Sequence, residues 1–194
     1  MRLTNMNALD ALHSRISVAR LADPAPGEAA LVNIYKSAFR AADHGMLRPW
    51  RFLVVKGPAR ERLGDLFLEA ALANDSSLVA EKQDSIRRKP LRAPMLLVTV
   101  SSIKEHRSVP AIEQEFSAAA ATQNMLLAAH AQGIGAMWRT GSMAYHPIVM
   151  KGLGLAEHEK IIGFLYLGSI DGPTRTLGFL SVASTCNAGN VALN

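Results

Sequence analysis

One segment constrains this chain more than any other. Between Ala111 and Gln132 there is no glycine and no proline, and seven alanines fall between Ser117 and Gln132. Nothing there breaks a helix, so the spacing predicts one of about six turns. Phe116, Ala119, Ala120, Gln123, Leu127 and Ala131 share one face, while Met125 and Leu126 lie elsewhere on the circumference. A helix apolar nearly all round has to be covered on every side. The chain has 194 residues, which is one domain's worth. In a domain that small, the least costly way to bury every face is to pack this helix where two subunits meet.

The remaining elements follow from spacing. Leu9 and Leu12 predict a short helix over Asn7–His13. Leu31, Ile34, Tyr35 and Ala38 predict a second from Glu28 to about Ala42. Leu63, Leu66, Phe67 and Ala70 predict a third after Pro58. Ser76–Lys89 reads as a polar helix or a mobile segment. Pro147–Leu153 reads as a short helix. Strands are expected at Trp50–Val55, Met95–Val100, Ala136–Trp138 and Ile161–Leu167. The second is apolar throughout, as a strand covered on both faces should be. Strands and helices do not alternate strictly, so the fold class is α+β with a central sheet. After Arg175 no charged residue occurs. The tail 171–194 is read as an extended arm or as disorder.

Charge and composition remove several functions. The net charge is +5 and the excess sits before Val98, since six basic and six acidic residues follow. The one dense basic run, Arg87-Arg88-Lys89 with Arg92, has no aromatics interleaved, which argues against a nucleic-acid surface. Scattered cations suit an anionic small molecule better. The single cysteine, Cys186, rules out a disulfide framework within one chain. No apolar run reaches membrane-spanning length, and the N-terminus lacks a leader's apolar run. The expected location is the cytoplasm. The six histidines are dispersed. Glu113, Glu115, His130 and His158 could meet, but helix surfaces carry such residues without function, so no metal site is read. There is no P-loop and no Gly-x-Ser-x-Gly elbow, and Gly133-Ile134-Gly135 lacks the third glycine of a dinucleotide fingerprint.

Three clusters combine arginine with a hydroxyl or a glycine-permissive backbone. They are Arg15-Ile16-Ser17 with Arg20, then Arg40 and His44 with Arg48-Pro49-Trp50-Arg51, and then Gly133 to Gly141, which contains Trp138-Arg139-Thr140. A guanidinium fork matches phosphate oxygens, and a hydroxyl adds a single bond. Each cluster alone reads better as surface arginines on loops, with Trp138 as a strand-core residue.

In order and spacing the clusters resemble the FMN-dependent nitroreductase family, in its short NAD(P)H nitroreductase branch. Arg15-Ile16-Ser17 looks like the family's Arg-Arg-Ser element, with Ile16 for the second Arg. Trp138-Arg139-Thr140-Gly141 is similar to its Trp-Arg-Ser-Gly stretch. Glu113-Gln114-Glu115 before a small-residue helix and Gly163-Phe164-Leu165-Tyr166-Leu167-Gly168 as the last core strand are also similar to it. The likeness covers Asn7 to Ile170. It implies one FMN-binding domain over 1–170 and a mixed sheet of four or five strands flanked by helices. It also implies a long buried central helix and an intertwined homodimer with FMN between subunits. By position, Arg15, Ile16, Ser17, Trp138, Arg139 and Thr140 would hold FMN, with Arg15 and Arg139 together on its phosphate. Arg40 and His44 would reach the partner's flavin. Ala128, Ala129, His130, Ala131, Gln132 and Gly133 correspond to a stretch associated with NAD(P)H. The tail does not match the branch.

The implied activity is NAD(P)H-dependent reduction of nitroaromatic or quinone acceptors by a ping-pong mechanism. The flavin carries the chemistry and no catalytic side chain is needed. Reductive dehalogenation on the same scaffold, or a flavin-binding module without turnover, are the alternatives.

Overall fold

Met95–Ser102 is covered on both faces, as its unbroken apolar run predicts. This strand, β3, is buried from Met95 through Ser101. The fold comes from a computed structural model, which describes residues 6–175 and 178. The tail expectation falls outside the described residues beyond Arg175, residue 178 apart. In chain order the elements are α1 (Ala8–Ser14), β1 (Leu21–Ala22), α2 (Glu28–Ala38), β2 (Trp50–Lys56), α3 (Ala59–Asn74), α4 (Ala80–Arg87), β3, α5 (Ala111–Ala131), β4 (Gly135–Arg139), α6 (Pro147–Gly152) and β5 (Glu159–Ile170).

β5 organises the sheet. It pairs with β3 from Met95↔Leu167 to Ser102↔Glu159, with β4 from Gly135↔Gly168 to Arg139↔Phe164, and with β1 at its C-terminal end. β2 lies outside β3. Every one of these pairings is antiparallel, so among the described residues the five strands form an antiparallel sheet rather than a mixed one.

Strand alternation divides the core in two. Leu96, Val98 and Val100 of β3 and Phe164 and Tyr166 of β5 pack with Leu63, Phe67 and Ala70 of α3 and Val149 of α6. Leu97, Leu165 and Leu167 face the other way, against Ile34 and Ala38 of α2 and Ala121, Met125 and Ala129 of α5.

The long helix is as predicted, but its stripes have different surroundings. Gln114, Ser117, Ala118, Ala121, Thr122, Met125, Leu126 and Ala129 are buried. The stripe through Phe116, Gln123 and Leu127 faces away from the sheet, and Phe116 and Ile112 are 63% and 51% exposed in the single chain. Gly133, with φ 72°, ends the helix, and the amide of Ile134 donates to the Ala129 carbonyl at 2.9 Å. α2 stops four residues before the expected Ala42. Its chain tightens into three-residue bonds, Arg40 N–H to Ser37 O and Ala41 N–H to Ala38 O, and leaves the helix.

An ion pair between a buried Glu159 and a partly exposed Arg51 ties β2 to β5 across β3. Arg51 donates from Nε to Glu159 Oε1 at 2.6 Å and from Nη2 to Oε2 at 2.6 Å, and the Ala156 amide donates to Oε2 at 3.0 Å. These bonds hold the Glu159 carboxyl at about 2, against an ordinary 4.5, with the Arg51 hydrogen bond the largest cause. A carboxylate pKa lowered by folding adds stability that is fully present above pH 4.5 and is lost as pH falls toward 2. Glu159→Gln is therefore expected to cost about 2 kcal/mol at pH 7, discounted for the partly exposed arginine. The difference from the parent should shrink as pH drops through that window. Urea unfolding at pH 7 and pH 3 checks both statements.

Candidate functional site

The site is assembled along the open side of β4. The amide of Val18 donates to the Ala136 carbonyl at 2.9 Å, which draws the segment 15–20 along this edge strand. That one contact brings residues 15–17 to residues 136–140, more than a hundred positions later in the chain.

Around the edge, Arg15, Ser17, Trp138 and Thr140 line one cavity of about 380 Å³, with Gln123 and Leu126 of α5 as its wall. Arg15, Ile16 and Ser17 also line an adjoining cavity of about 590 Å³, with Arg20, Met137 and Arg175. No carboxylate lines either one. Trp138 is pinned in place: its Nε1–H donates to the Ile162 carbonyl at 3.2 Å. The indole lies over Gly163, where an added Cβ would fall 2.0 Å from Nε1. Gly163→Ala is expected to displace the ring and cost about 1–3 kcal/mol by overpacking. A lowered Tm and altered tryptophan fluorescence would register it. Close to Arg15, His130 Nε2 lies 2.9 Å from the Ser14 hydroxyl, which itself donates to the Asp10 carbonyl. Burial and then the Arg15 charge hold the imidazole below its usual range, which favours a neutral ring.

Arg139 does not join Arg15. Paired residues of β4 and β5 share a face, so Trp138 lies with Leu165 and Arg139 with Phe164, on opposite sides of the sheet. Arg139 lines a third cavity, of about 400 Å³, with Lys89, Arg92 and Tyr166, and only Thr140 lines both this cavity and the one at Arg15. The expected pairing of Arg15 and Arg139 on one phosphate is thus not met within the chain, because adjacent strand residues point apart.

The other expected residues lie elsewhere. Arg40 borders a cavity between α1, α2 and α5, and His44 Nδ1 lies 2.6 Å from Glu113 Oε2 on the surface. Neither lines a cavity containing Arg15 or Thr140 in the single chain. The stretch 128–133 is divided. Ala128 and Ala131 face the Arg40 cavity, and Gln132 and Gly133 line another with Asn33. Ala129 is fully buried and offers no surface to a ligand. A helix turns 100° per residue, so six consecutive positions cannot line one site. Sequence reasoning missed Gln123, Met137, Lys89 and Arg92 as cavity residues. Only the last two carried a signal, as members of the basic run.

The pattern of the nitroreductase family matches residues 13–169. The chain belongs to the nitroreductase family. Its relatives within this family of oxidoreductases include the Escherichia coli K12 protein YdjA, whose name assigns it provisionally to the NAD(P)H nitroreductases. The two are 42% identical over 164 residues, 84% of this chain and 88% of YdjA. A Haemophilus influenzae protein with the same kind of name is 33% identical over 165 residues, 84% of this chain and 89% of its own length. The fold is shared with solved nitroreductase-like structures. One from Bacillus cereus has TM-score 0.81 at 22% identity, covering 98% of this chain and all (100%) of that one. A Bacteroides fragilis nitroreductase with bound FMN has TM-score 0.71 at 20% identity, covering 93% and 98%. No helix among the described residues is long and apolar enough to cross a membrane.

Proposed function

We propose that this nitroreductase-family chain is an FMN-dependent oxidoreductase that uses NAD(P)H to reduce nitroaromatic, quinone or similar acceptors, as a cytoplasmic homodimer with FMN between subunits. The observation that carries this reading is the meeting of Arg15, Ser17, Trp138 and Thr140 around one cavity at the open edge of β4. The donor set fits a flavin mononucleotide. Arg15 presents a fork, and Ser17 a hydroxyl, suited to phosphate oxygens, and Trp138 offers an aromatic wall fixed by its own hydrogen bond. Arg20 adds a further cation beside them in the adjoining cavity.

FMN, when bound, would supply two-electron redox chemistry between nicotinamide and acceptor. The chain's residues bind and orient. Arg15 and Ser17 anchor the phosphate end, Trp138 and Thr140 border the remainder, and the open edge admits nicotinamide and acceptor in turn, which gives ping-pong kinetics. Residues 1–170 form the flavin-binding domain on this reading. The exposed stripe with Ile112 and Phe116, together with Phe39, supports a second copy packing against α5. Arg40 and His44, near that surface, then reach the partner's flavin. The provisional name of YdjA and the FMN held by the Bacteroides fragilis protein support the same reading.

An absorbance spectrum of the purified protein followed by anaerobic NADPH titration tests it. Yellow protein bleached by NADPH and recoloured by menadione or nitrofurazone is the expected result. Colourless protein that takes up no FMN overturns the reading, and a flavin that NAD(P)H never reduces leaves only a binding module.

A further inference from the structure

The basic run of the sequence is not one surface patch. Arg87 pairs with Asp65 at 2.8 Å and Arg88 with Asp84 at 2.9 Å. Lys89 and Arg92 have no such partner among the described residues. They line the third cavity, about 400 Å³, together with Arg139, and no Asp or Glu among the described residues lines it. The Nε of Arg139 is buried and has no hydrogen-bond partner among the described residues, and its guanidinium carbon sits 5.6 Å from the centre of the Tyr166 ring. The three cations are close enough to act on their neighbours. Burial and then Arg92 hold the Lys89 ammonium below its ordinary range. Tyr166 is pushed up by burial, with Arg139 and Arg92 pulling against it.

Three like charges converging on a cavity without a carboxylate raise the energy of the empty site, and an anion removes that cost. The buried guanidinium N–H left unpaired asks for an acceptor atom from outside the chain. The rest of the lining joins an aromatic and apolar group, Phe67, Phe164, Tyr166 and Met143, to the segment Thr140, Gly141 and Ser142, whose two hydroxyls can also bond an acid group. The volume is at the small end for ligand sites and suits a single substituted ring, not a dinucleotide. Thr140 lines this cavity and the candidate flavin cavity alike, so a ring held here borders the candidate flavin site.

We infer that this cavity binds the acid group of an anionic aromatic compound, and, resting on the function proposed above, that such aromatic acids are preferred electron acceptors. Lys89 and Arg92 act as specificity residues at the rim, and Arg139 receives the acid group from beneath.

The test compares an acid with its neutral isostere. In calorimetry on the protein as purified, benzoate is expected to bind at least ten times more tightly than benzamide. Arg92→Gln and Lys89→Gln are each expected to erase most of that difference, and Arg92→Lys to restore part of it. In turnover with NADPH, the KM ratio of 4-nitrobenzamide to 4-nitrobenzoate should fall about tenfold in the two glutamine variants. Equal affinity for benzoate and benzamide, or a preference that survives both substitutions, overturns the site. Benzoate binding without NAD(P)H-dependent reduction of either nitro compound would instead leave the site standing and remove the oxidoreductase reading. Reduction of both with one KM in parent and variants would do the reverse.

Discussion

Replacing Arg15 by alanine is expected to weaken FMN binding by about 1.5–3 kcal/mol, roughly ten- to a hundredfold in Kd, because a charge-assisted hydrogen bond to phosphate is lost. Arg15 is the one guanidinium that lines both cavities at the open side of β4, with Ser17 beside it in each. Arg139→Ala is expected to have the smaller effect on flavin retention, since that side chain leaves the opposite face of the strand. Fluorescence titration of flavin-free protein with FMN measures both variants. Tight retention in Arg15→Ala with loss in Arg139→Ala would mean that the phosphate end lies at the third cavity, and the site assignment would have to be reversed.

On the proposed homodimer, Phe116→Lys is expected to convert dimer to monomer at micromolar concentration. Phe116 is 63% exposed on the outward face of α5, next to Ile112 at 51%. An apolar ring this exposed contributes little to the fold of one chain. In a two-fold interface the same substitution is made twice, and truncating a central aromatic typically costs 2 kcal/mol or more. A buried ammonium adds a desolvation cost on top. On the proposed arrangement the monomer should keep its circular dichroism and most of its Tm while losing FMN, because Arg40 and His44 would no longer complete the partner's site. Sedimentation equilibrium reads the first effect and the flavin-to-protein absorbance ratio the second. A dimer of unchanged strength would place the contact between copies on another face.

The class of fold and most of its elements were legible because they rest on local periodicity. The apolar run of β3, the stripe of α3 and the unbroken helix from Ala111 each announce their own burial. The family could be read for a related reason. Its motifs are short runs such as Trp138-Arg139-Thr140-Gly141, in which order and spacing survive although no single residue decides. Element ends were less legible. Whether α2 stops at Ala38 or Ala42 depends on where its C-terminal turn meets α5: the Ser37 hydroxyl bonds the Asn124 carbonyl at 3.1 Å, and no local signal records that.

The candidate site divides along the same line. Residue types were readable: arginines and hydroxyls in glycine-permissive surroundings suit a phosphate wherever they fall. Their grouping was not. Adjacent residues on a strand send their side chains to opposite faces, so Trp138 turns toward Arg15 while Arg139 turns to Lys89, Arg92 and Tyr166, and Thr140, just past the strand end, borders both cavities. A run of six on a helix turns away from itself even faster, which is why Ala128 to Gly133 reach two cavities with Ala129 buried between them. The amino-acid sequence alone determined most of the secondary structure, the family and the kinds of group available to an anionic ligand, since these depend on neighbours along the chain, while the two-residue strand Leu21–Ala22 carried no such signal. The three-dimensional packing decided which cations share a cavity, because that depends on the register of β4 against β5 and on one hydrogen bond from Val18 to Ala136.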